Sequence, residues 1–185
     1  TLEMIINAER KLNDNTLDAV LLPGLWAASP ENLIAEVGTK KTLIEMLRCL
    51  SQSVAIYSYC SSVCISAAAG KLGNGQATST WWIARYLAET YPGVDWIFNR
   101  ACIDNGHNIT AAGINGYLPI AIALIETHCG AVVARETTKL MLLPRPEAEQ
   151  MPFHAVDPLV LKDQLMRRIV AIVEATPASN LHLDR

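Results

Sequence analysis

Short apolar runs alternate along this chain with segments that carry helix-start signals, and this alternation restricts the fold more than any other feature. "LDAVLLPGLW" contains a buried-type strand at Ala19 to Leu22 that ends in a Pro-Gly turn, and "SVAIYSY" contains another. Between them, "SPENLIAEV" begins a helix with Ser29 as its cap and Pro30 at the first helical position. Strands that alternate with helices predict an α/β fold with a mainly parallel sheet.

Later segments continue the alternation. "ACIDNGHNITAAG" predicts a small hairpin, because Asn105-Gly106 suits a tight type I′ turn. Five further helices are predicted: over "KTLIEMLRCLSQ", from the residues after Cys60 up to Gly70, over "TWWIARYLAETYPG", from Gly116 to His128, and from about Ala131 to Leu142. The predicted fold class is a flavodoxin-like, doubly wound sheet flanked by helices, with a helical tail.

Composition excludes several classes of protein. The chain has 185 residues, of which 51% are hydrophobic, so it can bury a sizeable core. A net charge of −3 argues against binding of nucleic acid by this piece alone, since phosphate binding needs a basic face. The most apolar stretch, Ile114 to Ile125, is broken by Asn115, Gly116 and Pro119, so no membrane span is expected.

The number and spacing of the cysteines and histidines bear on the cellular compartment and on metal binding. Five cysteines without paired spacing are typical of reduced thiols, which predicts a cytoplasmic protein. Four scattered histidines show no metal-ligand spacing, so neither a metal site nor a cofactor is predicted.

Cys60 stands where a predicted strand meets a predicted helix. A strained turn at such a junction exposes a nucleophile, and the N–H of the next residue, Ser61, can face a developing oxyanion. A second donor is expected from the loop after Pro23-Gly24, because strand ends in an open α/β sheet share one edge. The alternative is a small apolar residue that fills the core, since free cysteine is among the most buried residue types.

Three segments resemble, in order, the ligand-sensing domain of AraC-type transcriptional regulators. They are "CSSVCISAAAGKLGNGQATSTWW", "DNGHNITAAGINGYLPIAIALIETHCG" and "AVVARETTKLMLLPRPEAEQMPF". That domain is similar to the ThiJ/PfpI and class I glutamine amidotransferase superfamily. The resemblance runs from about Asp18 to Phe153 and implies a sensor domain over 1–153, with the family's first strand expected upstream of this chain. Residues 154–185 resemble a linker and the opening helix of an AraC-type helix-turn-helix domain.

The resemblance also shows where this chain departs from the family. The elbow usually reads Cys-Thr-Gly and here reads Cys60-Ser61-Ser62. The segment that commonly reads Thr-Thr-His-Trp ends here in Thr80-Trp81, so its histidine is missing. A cysteine hydrolase needs a base to take the thiol proton. The similar PfpI-like proteases place a histidine directly after the cysteine, where this chain has Ser61. Loss of such a base costs about 10²–10⁴-fold in rate. Cys60 is therefore interpreted as a vestigial elbow with no catalytic role.

The resemblance implies a function in sensing rather than catalysis: a small-molecule-binding and dimerisation domain of an AraC-type regulator. The expected partners are a small-molecule effector, a second copy of the chain, and DNA through recognition helices beyond Arg185. A cysteine-dependent hydrolase or lyase and a purely structural dimerisation module are the alternatives. Trp26, Trp81 and Trp82 are as consistent with apolar pocket walls as with core. The predicted ligand-binding residues are Cys60, Ser61, Gly24, Leu25, Thr80 and Thr110.

The tail carries one amphipathic helix. Asp157 and Pro158 are its predicted cap and first position, and Pro177 its predicted stop. A single helix cannot bury its own apolar stripe, so the stripe is expected to pack on a neighbour or remain partly exposed. The stripe comprises Leu161, Leu165, Ile169, Ile172 and Val173.

Overall fold

The structure is a computed structural model that describes residue 12, residues 17–143 and residues 164–177. The chain divides into two compact units, Thr1–Pro152 and Phe153–Arg185. Short 3₁₀ turns occur at Cys60–Ser62, Trp81–Ile83 and Ile114–Gly116. The described elements of the first unit are β1 (Ala19–Leu22), α1 (Pro30–Thr39), α2 (Lys41–Cys49), β2 (Ala55–Tyr59), α3 (Val63–Ala68), β3 (Gln76–Ala77), α4 (Ala84–Thr90), β4 (Asp95–Trp96), β5 (Cys102–Asp104), β6 (Ile109–Ala111), α5 (Tyr117–Cys129) and α6 (Ala131–Leu140).

The main sheet has the strand order β1-β2-β6-β5. β2 lies between β1 and β6 and is parallel to both, with Ser58 opposite Leu22 on one side and Thr110 on the other. β5 runs antiparallel to β6, and β3 and β4 form a separate parallel pair. The predicted mainly parallel α/β fold is confirmed.

Helices cover both faces of this sheet. Successive residues of β2 point to opposite faces, so they pack against different helices. Ile56 belongs to a buried cluster with residues of α1, α2, α3 and α4, among them Leu33 and Leu47. Tyr57 and Tyr59 pack instead against a second cluster formed by β6 and α5. The arrangement is doubly wound, and it brings the carboxyl ends of β1, β2 and β6 to one edge.

The start of α1 follows its predicted signals. Ser29 has an extended backbone, and its Oγ accepts a hydrogen bond from the N–H of Asn32 at 3.2 Å. Pro30 occupies the first helical turn, where no N–H partner is needed.

The predicted β5–β6 hairpin is confirmed, but its predicted turn type is wrong. A type I′ turn needs positive φ at both central residues. Gly106 has φ 84°, whereas the non-glycine residues with positive φ in the described part of the chain are Cys60 and Leu142. The loop instead spans residues 105–108, and the Asn105 Oδ1 accepts a hydrogen bond from the Asn108 N–H at 2.8 Å.

Two predicted helices have different ends. The helix expected over the tryptophan segment becomes α-helical only at Ala84, after a 3₁₀ turn. The helix expected to reach Leu142 ends at Leu140, because Leu142 adopts a left-handed backbone with φ 53°.

In the second unit, α7 (Gln164–Ala175) forms the described helix. Leu165, Ile169, Ile172 and Val173 are all exposed, so the expected apolar stripe is open where the structure describes it. The predicted cap Asp157, Pro158 and the stripe residue Leu161 lie outside the described residues. Across the described ranges, no helix combines the length and apolar character that a membrane span requires.

Candidate functional site

Cys60 forms a sharp elbow between β2 and α3. Its φ is 56°, a left-handed backbone that costs an L-residue about 1–2 kcal/mol. The chain turns there directly from the strand end at Tyr59 into the 3₁₀ turn Cys60–Ser62. The predicted unusual backbone of Cys60 is confirmed, and strain of this kind persists only where surrounding contacts hold it.

Serine hydroxyls hold the elbow. The Leu25 N–H donates to the Ser61 Oγ at 2.8 Å, and the Ser61 hydroxyl donates to the Leu25 carbonyl at 2.6 Å. The Ser79 hydroxyl donates to the Cys60 carbonyl at 2.8 Å. The Ser62 hydroxyl lies 2.7 Å from the Leu22 carbonyl, at the end of β1. These bonds tie the strained turn to two neighbouring segments.

Gly24 brings the loop after β1 against Cys60. A Cβ at Gly24 would lie 3.0 Å from the Cys60 Cβ and 3.5 Å from its Sγ, so any side chain at position 24 would crowd the thiol. The structure therefore places four of the predicted ligand-binding residues side by side: Gly24, Leu25, Cys60 and Ser61. The Leu25 N–H is already bonded to Ser61, so it is not free to serve as the second oxyanion donor expected from this loop.

The two predicted threonines lie beneath the elbow, largely shielded from solvent. Thr80 directly follows Ser79 and is only 5% exposed, whereas Thr110, the β6 neighbour of Ser58, is 1% exposed. The Thr110 Oγ1 accepts a hydrogen bond from the Thr78 N–H at 2.9 Å. Both threonines are therefore buried, and the exposed surface of the site comes from Gly24, Leu25 and Cys60.

The three tryptophans considered as pocket walls have different surroundings. Trp26, on the loop after β1, is 88% exposed. Trp82 packs against the main core cluster, and Trp81 is half-buried. Trp26 is therefore the tryptophan that is open to solvent beside the elbow.

The histidines that the structure describes do not serve the Cys60 thiol as a base. His107 is exposed on the hairpin loop, and His128 is exposed near the end of α5. His154 and His182 lie outside the described residues. The described residues also contain no group of three or more His, Cys, Asp or Glu side chains that could hold a metal.

The remaining thiols separate into buried and exposed groups. Burial raises the pKa of Cys64 to about 12 and that of Cys102 to about 11. Both therefore stay protonated and weakly nucleophilic at neutral pH. Cys49 and Cys129 are exposed.

A groove of about 750 Å³ lies at the opposite end of the strands. Met46 and Leu50 line it together with Leu17 and Val54, which precede β1 and β2. The strands are parallel, so this groove lies at their amino ends, a strand length of roughly 16 Å from Cys60. Ligands of open α/β sheets bind at the carboxyl ends, which favours the elbow as the candidate site.

Ser79 and Ser62 were missed as site residues by sequence reasoning. Each hydroxyl bonds a backbone carbonyl of the elbow region, at Cys60 or at Leu22. Ser62 lies between Ser61 and Val63, and Ser79 lies between two threonines, so neither carries a sequence signal for such a role. The available hint was that Ser62 lies two residues after Cys60.

Comparison with known proteins establishes the fold. No family model and no curated protein matches the chain. Drosophila melanogaster DJ-1β superposes with a TM-score of 0.57 at 19% identity, over 72% of this chain and 67% of that chain. A candidate transcriptional regulator from Vibrio parahaemolyticus gives a TM-score of 0.57 at 14% identity, over 67% and 63%. A ThiJ/PfpI family protein from Pseudomonas syringae gives 0.56 at 21%, over 85% and 61%.

These similarities assign the architecture to the flavodoxin-like DJ-1/ThiJ/PfpI fold. The chain spans about two thirds or less of the length of these solved proteins. The structures that share the fold include both DJ-1 proteins and a candidate transcriptional regulator. The fold alone does not distinguish catalysis from regulation, because function depends on the residues of the site.

Proposed function

We propose that this domain binds a small-molecule effector at the Cys60 elbow without turning it over, as the sensing domain of a cytoplasmic AraC-type transcriptional regulator. The strained Cys60 backbone, held by Ser61 and Ser79, is the observation that carries the proposal. A strained turn whose thiol has no histidine partner among the described residues supports a binding role for the elbow. The similarity in fold to a candidate transcriptional regulator agrees with this role.

A cysteine-dependent hydrolase or lyase is the second candidate function, and the retained elbow favours it. Acyl transfer at Cys60 would need a group that accepts the thiol proton and returns it to the leaving group. The described histidines, His107 and His128, are exposed on the hairpin loop and near the end of α5, which supports binding over turnover.

Effector binding should raise the melting temperature in a screen of metabolites by thermal shift. A ligand present at 100 times its Kd stabilises the folded state by about 2.7 kcal/mol. Gly24→Val should abolish the shift, because its side chain would crowd the Cys60 thiol, whereas Gly38→Ala, where a Cβ meets no atom within 4 Å, should retain it. Steady amide or ester hydrolysis that disappears in Cys60→Ser would instead establish an enzyme.

The proposal includes homodimerisation and DNA binding through a helix-turn-helix domain outside these 185 residues. Regulators that read paired half-sites are commonly two-fold symmetric.

The full-length gene product should shift a promoter fragment in a gel, with affinity that falls steeply with salt. The 185-residue chain should show no shift at moderate salt. A monomer mass in light scattering at tens of micromolar would contradict the dimer, and no binding of the full-length protein to its own upstream region would contradict the regulator.

A further inference from the structure

Three large apolar side chains are exposed around the Cys60 elbow, and together they form what we call the aromatic mouth: Trp26, Ile114 and Tyr117. They are 88%, 74% and 46% exposed. Trp26 lies on the loop that leaves β1, Ile114 begins the 3₁₀ turn after β6, and Tyr117 begins α5. All three therefore stand on connections at the carboxyl edge of the sheet.

Short contacts place these side chains on two sides of Cys60. Trp26 follows Leu25, whose N–H and carbonyl are both bonded to the Ser61 side chain. On the other side, a Cβ at Gly116 would lie 2.7 Å from the Tyr59 Cβ, so the turn after β6 sits directly on the residue before Cys60.

The Tyr117 ring continues this second side. Its centroid is 6.0 Å from the centroid of Tyr59, the residue that precedes Cys60. The loop that carries Trp26 is therefore bonded to the residue after Cys60, whereas the turn and helix start that carry Ile114 and Tyr117 contact the residue before it.

Three polar side chains near the mouth already have hydrogen-bond partners. The hydroxyls of Ser61 and Ser79 donate to backbone carbonyls, and the Thr110 Oγ1 accepts the Thr78 N–H. A ligand at this site therefore meets apolar and aromatic surface more than free hydroxyl groups. Ring faces offer such a ligand offset-stacked or edge-to-face contacts.

The size of the mouth indicates what occupies it. Its three side chains expose on the order of 400 Å², given the area of aromatic residues. A stable protein interface needs about 800 Å² on each partner. The mouth is about half that size, which suits one small molecule better than a second protein surface.

We infer that the aromatic mouth determines specificity at the proposed effector site and selects ligands that carry an aromatic ring or another flat apolar portion. The inference rests on the proposed function, because it assumes that the elbow binds an effector. The ring preference of the mouth itself is measurable without an effector and without DNA.

Two maleimides with one reactive group test this preference. N-phenylmaleimide and N-methylmaleimide both alkylate thiols, and mass spectrometry of peptides gives the rate at each cysteine. The ratio of the phenyl rate to the methyl rate at exposed Cys129 supplies the intrinsic reactivity. We expect this ratio to be about two- to tenfold higher at Cys60 than at Cys129, the range that an aromatic contact provides.

Variants assign the preference to the mouth. Trp26→Ala should lower the Cys60 ratio towards that of Cys129, and Ile114→Ala should lower it in part. Leu140→Ala is the matched control, because Leu140 is 84% exposed on α6, and it should leave the ratio unchanged. Far-ultraviolet circular dichroism checks that each variant is folded.

Several outcomes would overturn the inference. These are equal ratios at Cys60 and Cys129, absence of labelling at Cys60, or a Cys60 ratio unaffected by Trp26→Ala. Conversion of a dimer to a monomer by Trp26→Ala with an unchanged ratio would identify the mouth as a contact between two copies. A confirmed ring preference together with a metabolite screen that yields no thermal shift would contradict the proposed function and leave the mouth's specificity standing.

Discussion

Replacement of Asn108 by alanine should lower the free energy of unfolding by about 3 kcal/mol, since each buried group left without a partner costs about 1–3 kcal/mol. The Asn108 side chain joins three segments. Its Oδ1 accepts the Ile56 N–H at 3.0 Å, and its Nδ2 donates to the Lys71 carbonyl at 2.7 Å. Ile56 is fully buried, so water cannot replace the lost acceptor. Urea unfolding followed by circular dichroism measures the change.

The matched control for this variant is Asn99→Ala. Asn99 is exposed and makes no side-chain hydrogen bond within the described ranges, so the control should change stability by less than about 0.5 kcal/mol. An equal effect of the two substitutions would show that Asn108 does not hold the hairpin to β2 and to the turn after α3. Because the hairpin carries Thr110, which pairs with Ser58, loss of the Asn108 bonds should also loosen β6 beside the elbow.

Alkaline pH should destabilise the folded domain through Cys64. Burial raises the pKa of this thiol from 9.0 to about 12, so the folded state keeps a proton that the unfolded state releases. The stabilisation is fully present below pH 9 and is lost as the pH rises towards 12. Between pH 8 and 10.5 this single thiol should remove about 2 kcal/mol, at 1.36 kcal/mol for each pKa unit.

Cys64→Ala separates this effect from the titration of tyrosines and lysines. The variant removes the thiol and keeps a small apolar side chain in the core, so it should lose less stability than the parent between the two pH values. Urea titrations of both proteins at pH 8 and 10.5, with reductant present, supply the comparison. Parallel losses in the parent and the variant would show that Cys64 already ionises in the folded state.

The fold was predictable from the sequence because its signals are local. Each signal is recognised within a few positions: the apolar runs at Ala19–Leu22 and Ala55–Tyr59, the cap at Ser29 and the turn residue Gly106. The elbow at Cys60 was predictable for the same reason, since it joins two adjacent elements. The turn type was wrong because Asn105 bonds its own loop, which changes backbone angles without changing which strands pair.

The candidate site was predictable only in part, because it is assembled from separate segments. Gly24, Leu25, Cys60 and Ser61 came together as the shared edge of parallel strands requires. Their roles did not follow from the sequence. The Ser61 hydroxyl donates a hydrogen bond to the carbonyl of Leu25, 36 residues away, so it is not available to a ligand.

Periodicity and turn chemistry act between near neighbours, so they predicted β1, β2, the β5–β6 hairpin and the position of the strained cysteine. They did not predict the short strands β3 and β4, which pair across separate segments. Tertiary contacts were needed to show which serines hold the elbow and which tryptophan stays exposed. Ser79 reaches the Cys60 carbonyl across 19 residues, and Trp82 joins the core while Trp26 remains exposed. Hydrogen bonding and burial depend on which segments the sheet brings together, and local sequence does not encode that proximity.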